Sequence, residues 1–348
     1  MTPPITPKQA FDRQVTAMRT LGSPFMSRLM RLCRDRLDPG TQMGAAVQGW
    51  PGDPAPDADN LPLRLAGALH ALRLEGLALD DVYPPASATD DELWSAVARA
   101  MQDHAPRILR WLDRAPQTNE VRRTAVTVPA LHLVAAAGLP IRLVELGCSG
   151  GLNLAADRFR VVAGDAAYGP ADSPVTIVPD WQGPAPAARS LTISDRIGID
   201  LAPLDPAVPE DRLRLLAYLW PDQPDRLART NAAIAVARDV PVTRIAADIV
   251  DWLERDLAPV PGRLTCLVHT IALQYLDPAA RARAEAAIDA AARQATAEAP
   301  LARISMEPED RDDGAVIRAT LWPGRPVPLG RADYHGRWVR WEGPVAPG

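Results

Sequence analysis

After residue 140 the chain alternates short apolar runs with helix-patterned segments, and before residue 118 it does not. The runs are "RLVEL" (142–146), "LTISDRIGID" (191–200), "TRIAAD" (243–248), "LTCLVHT" (264–270) and "LARISME" (301–307). Helical patterns fit between them at 151–159, 209–219 with 225–238, 249–256 and 279–298. Strands that alternate with helices predict a mainly parallel sheet with both faces covered. Two further runs, "AVIRATLW" (315–322) and "RWVRWE" (337–342), have only "PGRPVPLGRADYHG" between them. They are expected to pair antiparallel.

The first part of the chain reads as helix. Residues 8–38 predict two helices split near Gly22-Ser23-Pro24, with Leu29, Met30, Leu32 and Leu37 on the apolar surface of the second. Residues 39–60 read as loop. "LPLRLAGALHALRL" is helical, with Pro62 in its first turn and Leu65, Leu69 and Leu72 on one face. Asp90 or Asp91 is expected to cap a helix carrying Leu93, Trp94 and Val97. The predicted organisation is a helical domain over 1–118 and an α/β core over 119–343. An insertion rich in Gly, Pro and Ala, at about 160–190, reads as a lid.

Composition narrows the function classes. The 348 residues carry 38 basic and 43 acidic side chains, and no Lys/Arg block stands out. That argues against a general nucleic-acid surface and leaves room for a local pocket holding an anionic substrate. Cys33, Cys148 and Cys266 are widely spaced, so neither a disulfide framework nor a CxxC metal pair is expected. No clustered metal-ligand motif appears. The start has no apolar signal-like region, and the most apolar window, 125–141, contains Pro129 and His132 and is short for a membrane span. A cytoplasmic protein without membrane contact is expected; oligomeric state is not readable.

The stretch "VELGCSGGLN" (144–153) concentrates the chemistry. Glu145 closes the first strand, and Gly147, Ser149 and Gly151 follow. Small residues let a ligand approach the backbone, and a following helical turn offers amides. Parallel sheets bind ligands beyond the carboxyl ends of their strands. A phosphate-cradling loop would need Lys-Ser or Lys-Thr next, and Leu152-Asn153 follows instead. The spacing also matches the G-x-S-x-G hydrolase elbow, with Ser149 as nucleophile, Asp248 as acid and His269 or His335 as base.

Other strand ends add candidates. Asp200 ends the second strand and suits a ribose diol, although it stands 53 residues after Gly147. Asp248 ends the third, where it suits an adenine amino group or simply the cap of helix 249–256. His269 ends the fourth and Tyr275 follows it; both are candidate catalytic residues. Just before the core, "PQTNEVRR" packs polar groups densely. Asn119, Glu120, Arg122 and Arg123 are candidate substrate-binding residues lining a cleft, with Thr118 or Asn119 as a helix cap.

The ordered set resembles class I S-adenosylmethionine-dependent methyltransferases. "VELGCSGG" is similar to their first motif, with Ser149 where a glycine usually stands; "GIDLAP", "AADIVDW" and "LVHT" resemble the ends of their second, third and fourth strands. The resemblance implies a Rossmann-like sheet of order 3-2-1-4-5-7-6. It also implies S-adenosyl-L-methionine held by Glu145, Gly147, Ser149, Gly151, Asp200 and Asp248. "LPLRLAGALHAL", "PQTNEVRR", "VELGCSGGLNLAADRF", "RIGIDLAPLD" and "AYLWPDQPDRLAR" more closely resemble a bacterial family known as DUF2332. That likeness spans nearly the whole chain and names no reaction. The expected function is methyl transfer to a small substrate. The alternatives are a serine hydrolase using Ser149 and a non-catalytic ligand-binding protein.

Overall fold

The computed structural model describes residues 5–309 and 313–345. In chain order, helices α1 (Pro7–Thr20), α2 (Pro24–Arg36), α3 (Gln42–Gln48), α4 (Leu61–Leu74), α5 (Asp90–Asp103) and α6 (Ala105–Leu112) come first. A 3-10 turn at Val121–Arg123 leads into α7 (Thr124–Val134) and strand β1 (Ile141–Leu146). A further 3-10 segment, Leu152–Arg158, is followed by β2 (Arg160–Ala163), β3 (Ala166–Tyr168), β4 (Thr176–Ile177), β5 (Asp180–Gln182) and β6 (Ile193–Asp200). Next come α8 (Pro209–Ala217), α9 (Pro224–Arg238), β7 (Thr243–Ala246), α10 (Ile249–Asp256), β8 (Leu264–Thr270) and α11 (Pro278–Ala292). The chain ends in β9 (Leu301–Glu307), β10 (Ala315–Trp322), β11 (Pro326–Ala332) and β12 (Trp338–Trp341).

Two compact units result. One holds the chain up to Thr118 together with Pro209–Ala228; the other holds Asn119–Val208 and the chain from Arg229 onward. The helical unit is built on α4, which is buried nearly all round. Leu29, Met30, Leu32, Leu65, Leu69, Leu72, Leu93 and Val97 are in its core, joined by Tyr218 and Trp220. Arg64 is itself buried and donates to the carbonyls of Asp59 and Leu112, 2.6 Å each. The "WPDQPDR" turn has a structural task, because the Asp222 carboxylate accepts from Ser23 Oγ and the Phe25 amide at the start of α2. Thr89, not Asp90 or Asp91, caps α5, in a capping box with Glu92. The expected loop over 39–60 contains α3, too short to show a periodicity.

The second unit is a mixed α/β fold around a nine-stranded sheet of order β5-β12-β11-β10-β9-β8-β1-β6-β7. The five strands β7, β6, β1, β8 and β9 are mutually parallel. Helices α10 and α11 cover one face of this run, with Val144, Leu146, Ile199, Leu267, Trp252 and Ile288 in one core.

The far side of the sheet corrects two expectations. β10 lies directly beside β9, antiparallel, and β11 and β12 continue outward as a meander. The implied 3-2-1-4-5-7-6 order therefore does not hold beyond the fifth parallel strand. Nor do 315–322 and 338–341 pair with each other, because residues 326–332 form a strand between them. The insertion is not a bare flap either. β2, β3 and β4 make a small sheet of their own, and β5 pairs with β12 at the edge of the large one.

Candidate functional site

Parallel strands related by opposite crossovers leave a crevice at their carboxyl ends. From β1 the chain goes one way to β6 and β7 and then returns to β8 and β9 on the other side, so that point lies between β1 and β8. Two residues there carry left-handed backbone without being glycine: Ser149 (φ 51°) after β1 and Ile271 (φ 54°) after β8. A β-branched residue in that region is strained, and such strain collects at functional sites. The two loops also meet. A Cβ on Gly147, itself at φ 70°, would lie 2.9 Å from Ala272 Cβ, so only glycine fits.

The glycine loop is tied down by the protein itself. The Gly147 and Cys148 amides donate to Ile199 O at 2.8 and 3.2 Å, and the Gly151 amide to Cys148 O at 2.7 Å. The Ser149 amide donates to Asp200 Oδ2 at 2.9 Å, and the Leu152 amide to Asn119 Oδ1 at 3.0 Å. Arg244 Nε holds Gly150 O at 3.2 Å. Asp200 thus braces the loop, and its Oδ1 accepts from the Ala202 amide. Each carboxylate oxygen still has acceptor capacity for a ligand hydroxyl. Leu201 beside it is 74% exposed.

Glu145 sits between Val144 and Leu146, whose side chains enter the α10/α11 core. Strand alternation therefore turns it to the opposite face. It is buried, and burial pushes its carboxyl up to about 8, against the opposing pull of Asn153 and the Arg123 charge. Its Oε1 accepts from Asn153 Nδ2 at 3.5 Å. Glu145 Oε2, Asn153 Oδ1 and Ser149 Oγ are all buried without a hydrogen-bond partner. Native interiors rarely leave such groups unpaired, so three on and around one loop mark a place built for something else.

The substrate candidates divide. Asn119 and Glu120 come to the glycine loop, through Leu152 and through Asn153 Nδ2, which reaches Glu120 O at 3.5 Å. Glu120, rather than Thr118 or Asn119, caps the 3-10 turn by accepting from the Arg122 amide. Arg123 clamps two backbone segments, donating to Thr270 O and Tyr334 O at 3.0 Å each. Arg122 lies half-buried beside it. Asp248 is exposed and caps α10 through the Val250 and Asp251 amides.

Of the catalytic candidates, His269 is turned away from Glu145. His269 pairs in register with Leu146 and so faces the α10/α11 side. It is wholly buried, with Nδ1 against Glu307 at 2.7 Å and Nε2 accepting from Arg303 Nε at 2.9 Å. A base needs a nitrogen open to the reacting group; this ring has none, so it positions rather than reacts. Burial lowers its proton affinity. Tyr275 is 70% exposed. No histidine bonds to Ser149 Oγ, so the hydrolase elbow lacks the base that would activate it. Cys148 is buried under Gly198, where a Cβ would stand 2.5 Å from its sulfur. Among the described residues, no group of three His, Cys, Asp or Glu is placed to hold a metal, and no helix is long and apolar enough to cross a membrane.

Residues 8–341, which include the whole of this sheet edge, match a family described as "Uncharacterized protein conserved in bacteria (DUF2332)". The chain belongs to that family. No curated protein and no solved structure matches it. Four further residues of this DUF2332 chain matter at the sheet edge without being among the site candidates read from the sequence: Asn153, Leu201, Arg244 and Glu307. Leu201 had a signal, since it directly follows Asp200 at a strand end. Asn153 lies within the glycine-loop stretch itself, whereas Arg244 and Glu307 are brought in by pairing between distant segments.

Proposed function

We propose that the protein binds S-adenosyl-L-methionine at the carboxyl edge of β1, β6 and β7 and transfers its methyl group to a small substrate. The observation that carries this reading is the parallel run β7-β6-β1-β8-β9 with the glycine loop at its crossover point. Its order resembles the 3-2-1-4-5 part expected of a Rossmann-like methyltransferase sheet, which supports the reading. The orphaned Glu145 Oε2 and Asn153 Oδ1 are acceptors suited to an ammonium group. Asp200 suits a ribose diol, and Leu201 offers exposed apolar surface to a flat base. When bound, the cofactor supplies an electrophilic methyl group. The chain's own part is to orient the two reactants and keep water out, which needs no strong base. Calorimetry with the cofactor and with its demethylated product tests the reading. Both are expected to bind; folded protein that binds neither overturns it.

The second reading is a ligand-binding protein without catalysis. One observation favours it: His269, at the end of the strand next to β1, is enclosed on both ring nitrogens. Transfer of labelled methyl from the cofactor into a metabolite extract separates the two. Transfer that is lost in a Glu145→Ala protein supports the enzyme.

A further inference from the structure

We infer that the protein carries a second ligand site, for a small anion bearing a phosphate or carboxylate group, at the amino-terminal end of β6. A cavity of about 410 Å³ lies there, within the size of small-molecule sites. His132 of α7, Ile193 of β6, Asp157, Arg158, Arg189 and Arg196 line it. It is at the other end of β6 from Asp200 and the glycine loop.

Three guanidinium groups thus face one carboxylate, and that carboxylate is spent. Buried Arg196 takes Asp157 with both arms of its fork, at 2.7 and 2.8 Å, and also donates to Leu154 O. Arg158 lies 3.5 Å from Asp157 Oδ2, an oxygen Arg196 already uses. Arg189 makes no ion pair among the described residues, and its side chain is exposed. Two cations are left with no carboxylate of their own.

The third element is a buried donor. His132 is only 4% exposed, and its Nδ1 accepts from the Arg189 amide at 3.0 Å. The ring proton therefore sits on Nε2, which meets no acceptor. Its ring stacks on Tyr168 with centroids 4.6 Å apart, and Tyr168 Oη donates to Pro186 O at 2.6 Å. The strap from Pro186 to Arg189 is held at both ends, so the imidazole and the Arg189 backbone are fixed together, with the Arg189 side chain starting beside the ring. Planar guanidinium forks and a ring N–H suit the oxygens of a phosphate or carboxylate. An adjoining cavity of about 550 Å³ is lined by Asp172, Asp195 and Asp239. Asp172 and Asp239 make that side less favourable to an anion than the His132 side, although Arg158 and Arg196 border both and Asp195 is paired with Arg263.

The test is a titration of histidine-labelled protein by nuclear magnetic resonance, with inorganic phosphate and with succinate. The chain has five histidines, and His132→Gln identifies the relevant signal. At least one probe is expected to shift the His132 resonance saturably. Arg189→Gln, an exposed change, is expected to weaken that probe about five-fold. A response to phosphate alone or to succinate alone supports the site and names its ligand chemistry. No saturable shift with either probe on folded protein overturns it. So does a shift reproduced by sodium chloride at equal ionic strength, or one unaltered in both Arg189→Gln and Arg158→Gln.

Discussion

Glu307 Oε1 accepts the Nδ1 proton of His269 at 2.7 Å, and the same oxygen takes the amides of Ala272 and Leu273 at 3.1 and 3.2 Å. Because Arg303 Nε donates to the other ring nitrogen, His269 is neutral. Arg303 in turn grips Glu285 of α11 at 2.6 and 2.8 Å. This chain of side chains holds the strained turn at Ile271 against the glycine loop. Glu307→Ala would leave three buried donors without an acceptor. The expected cost is about 3 kcal/mol or more, and Glu307→Gln, which keeps an acceptor oxygen, should cost less. Chemical denaturation of the two variants checks the order; equal stabilities would contradict the network.

Glu145 gives the protein a pH signature. Its carboxyl sits at about 8 in the folded state, against an ordinary value of 4.5. A raised acid binds its proton in the folded state and releases it on unfolding. Its contribution is therefore fully present below about 4.5, falls as pH rises and levels off above about 8. Glu145→Gln should match the parent near pH 4 and exceed it by a few kcal/mol at pH 9, at about 1.4 kcal/mol per unit. Urea titrations of both proteins at the two pH values decide it. A difference that does not change with pH would remove the premise.

The parallel core was legible because each of its strands is an apolar run bounded by turn residues. β11 was not. "RPVPLGRA" carries prolines at 326 and 328, which read as loop since proline cannot donate to a ladder. The structure accommodates them with a bulge: the β10 register skips from Gly330 to Pro328, and Gly330 stands at φ 121° with Arg340 O packed on it. The strands of the insertion are only two to four residues long, too short for a period to show. At the site, Glu145 and the glycine loop were readable as a motif. The burial of His269 was not. It depends on Glu307, which is 38 residues away and reaches it only through the pairing of β8 with β9.

Ser149 should behave as a backbone residue and not as a nucleophile. Its φ of 51° penalises any side chain with a branched Cβ. Ser149→Gly is expected to keep or slightly raise stability, whereas Ser149→Val should lose about 1–2 kcal/mol. Its hydroxyl has no partner, so a fluorophosphonate probe should leave the parent protein unlabelled. Stoichiometric labelling that disappears in Ser149→Ala would restore the hydrolase reading.

Leu201 separates ligand binding from folding most cleanly. At 74% exposure it contributes little to the core, so Leu201→Asp should change stability by no more than about 0.5 kcal/mol. Under the proposed function the same change removes apolar surface from beneath a base and sets a second negative charge beside Asp200. Affinity for the cofactor and for its demethylated product should then fall about ten-fold or more, equivalent to about 1.4 kcal/mol. Both ligands share the nucleoside, so both should weaken together. A loss confined to the methylated form would instead place Leu201 near the transferred group. Unchanged affinity for both would move the nucleoside away from the end of β6.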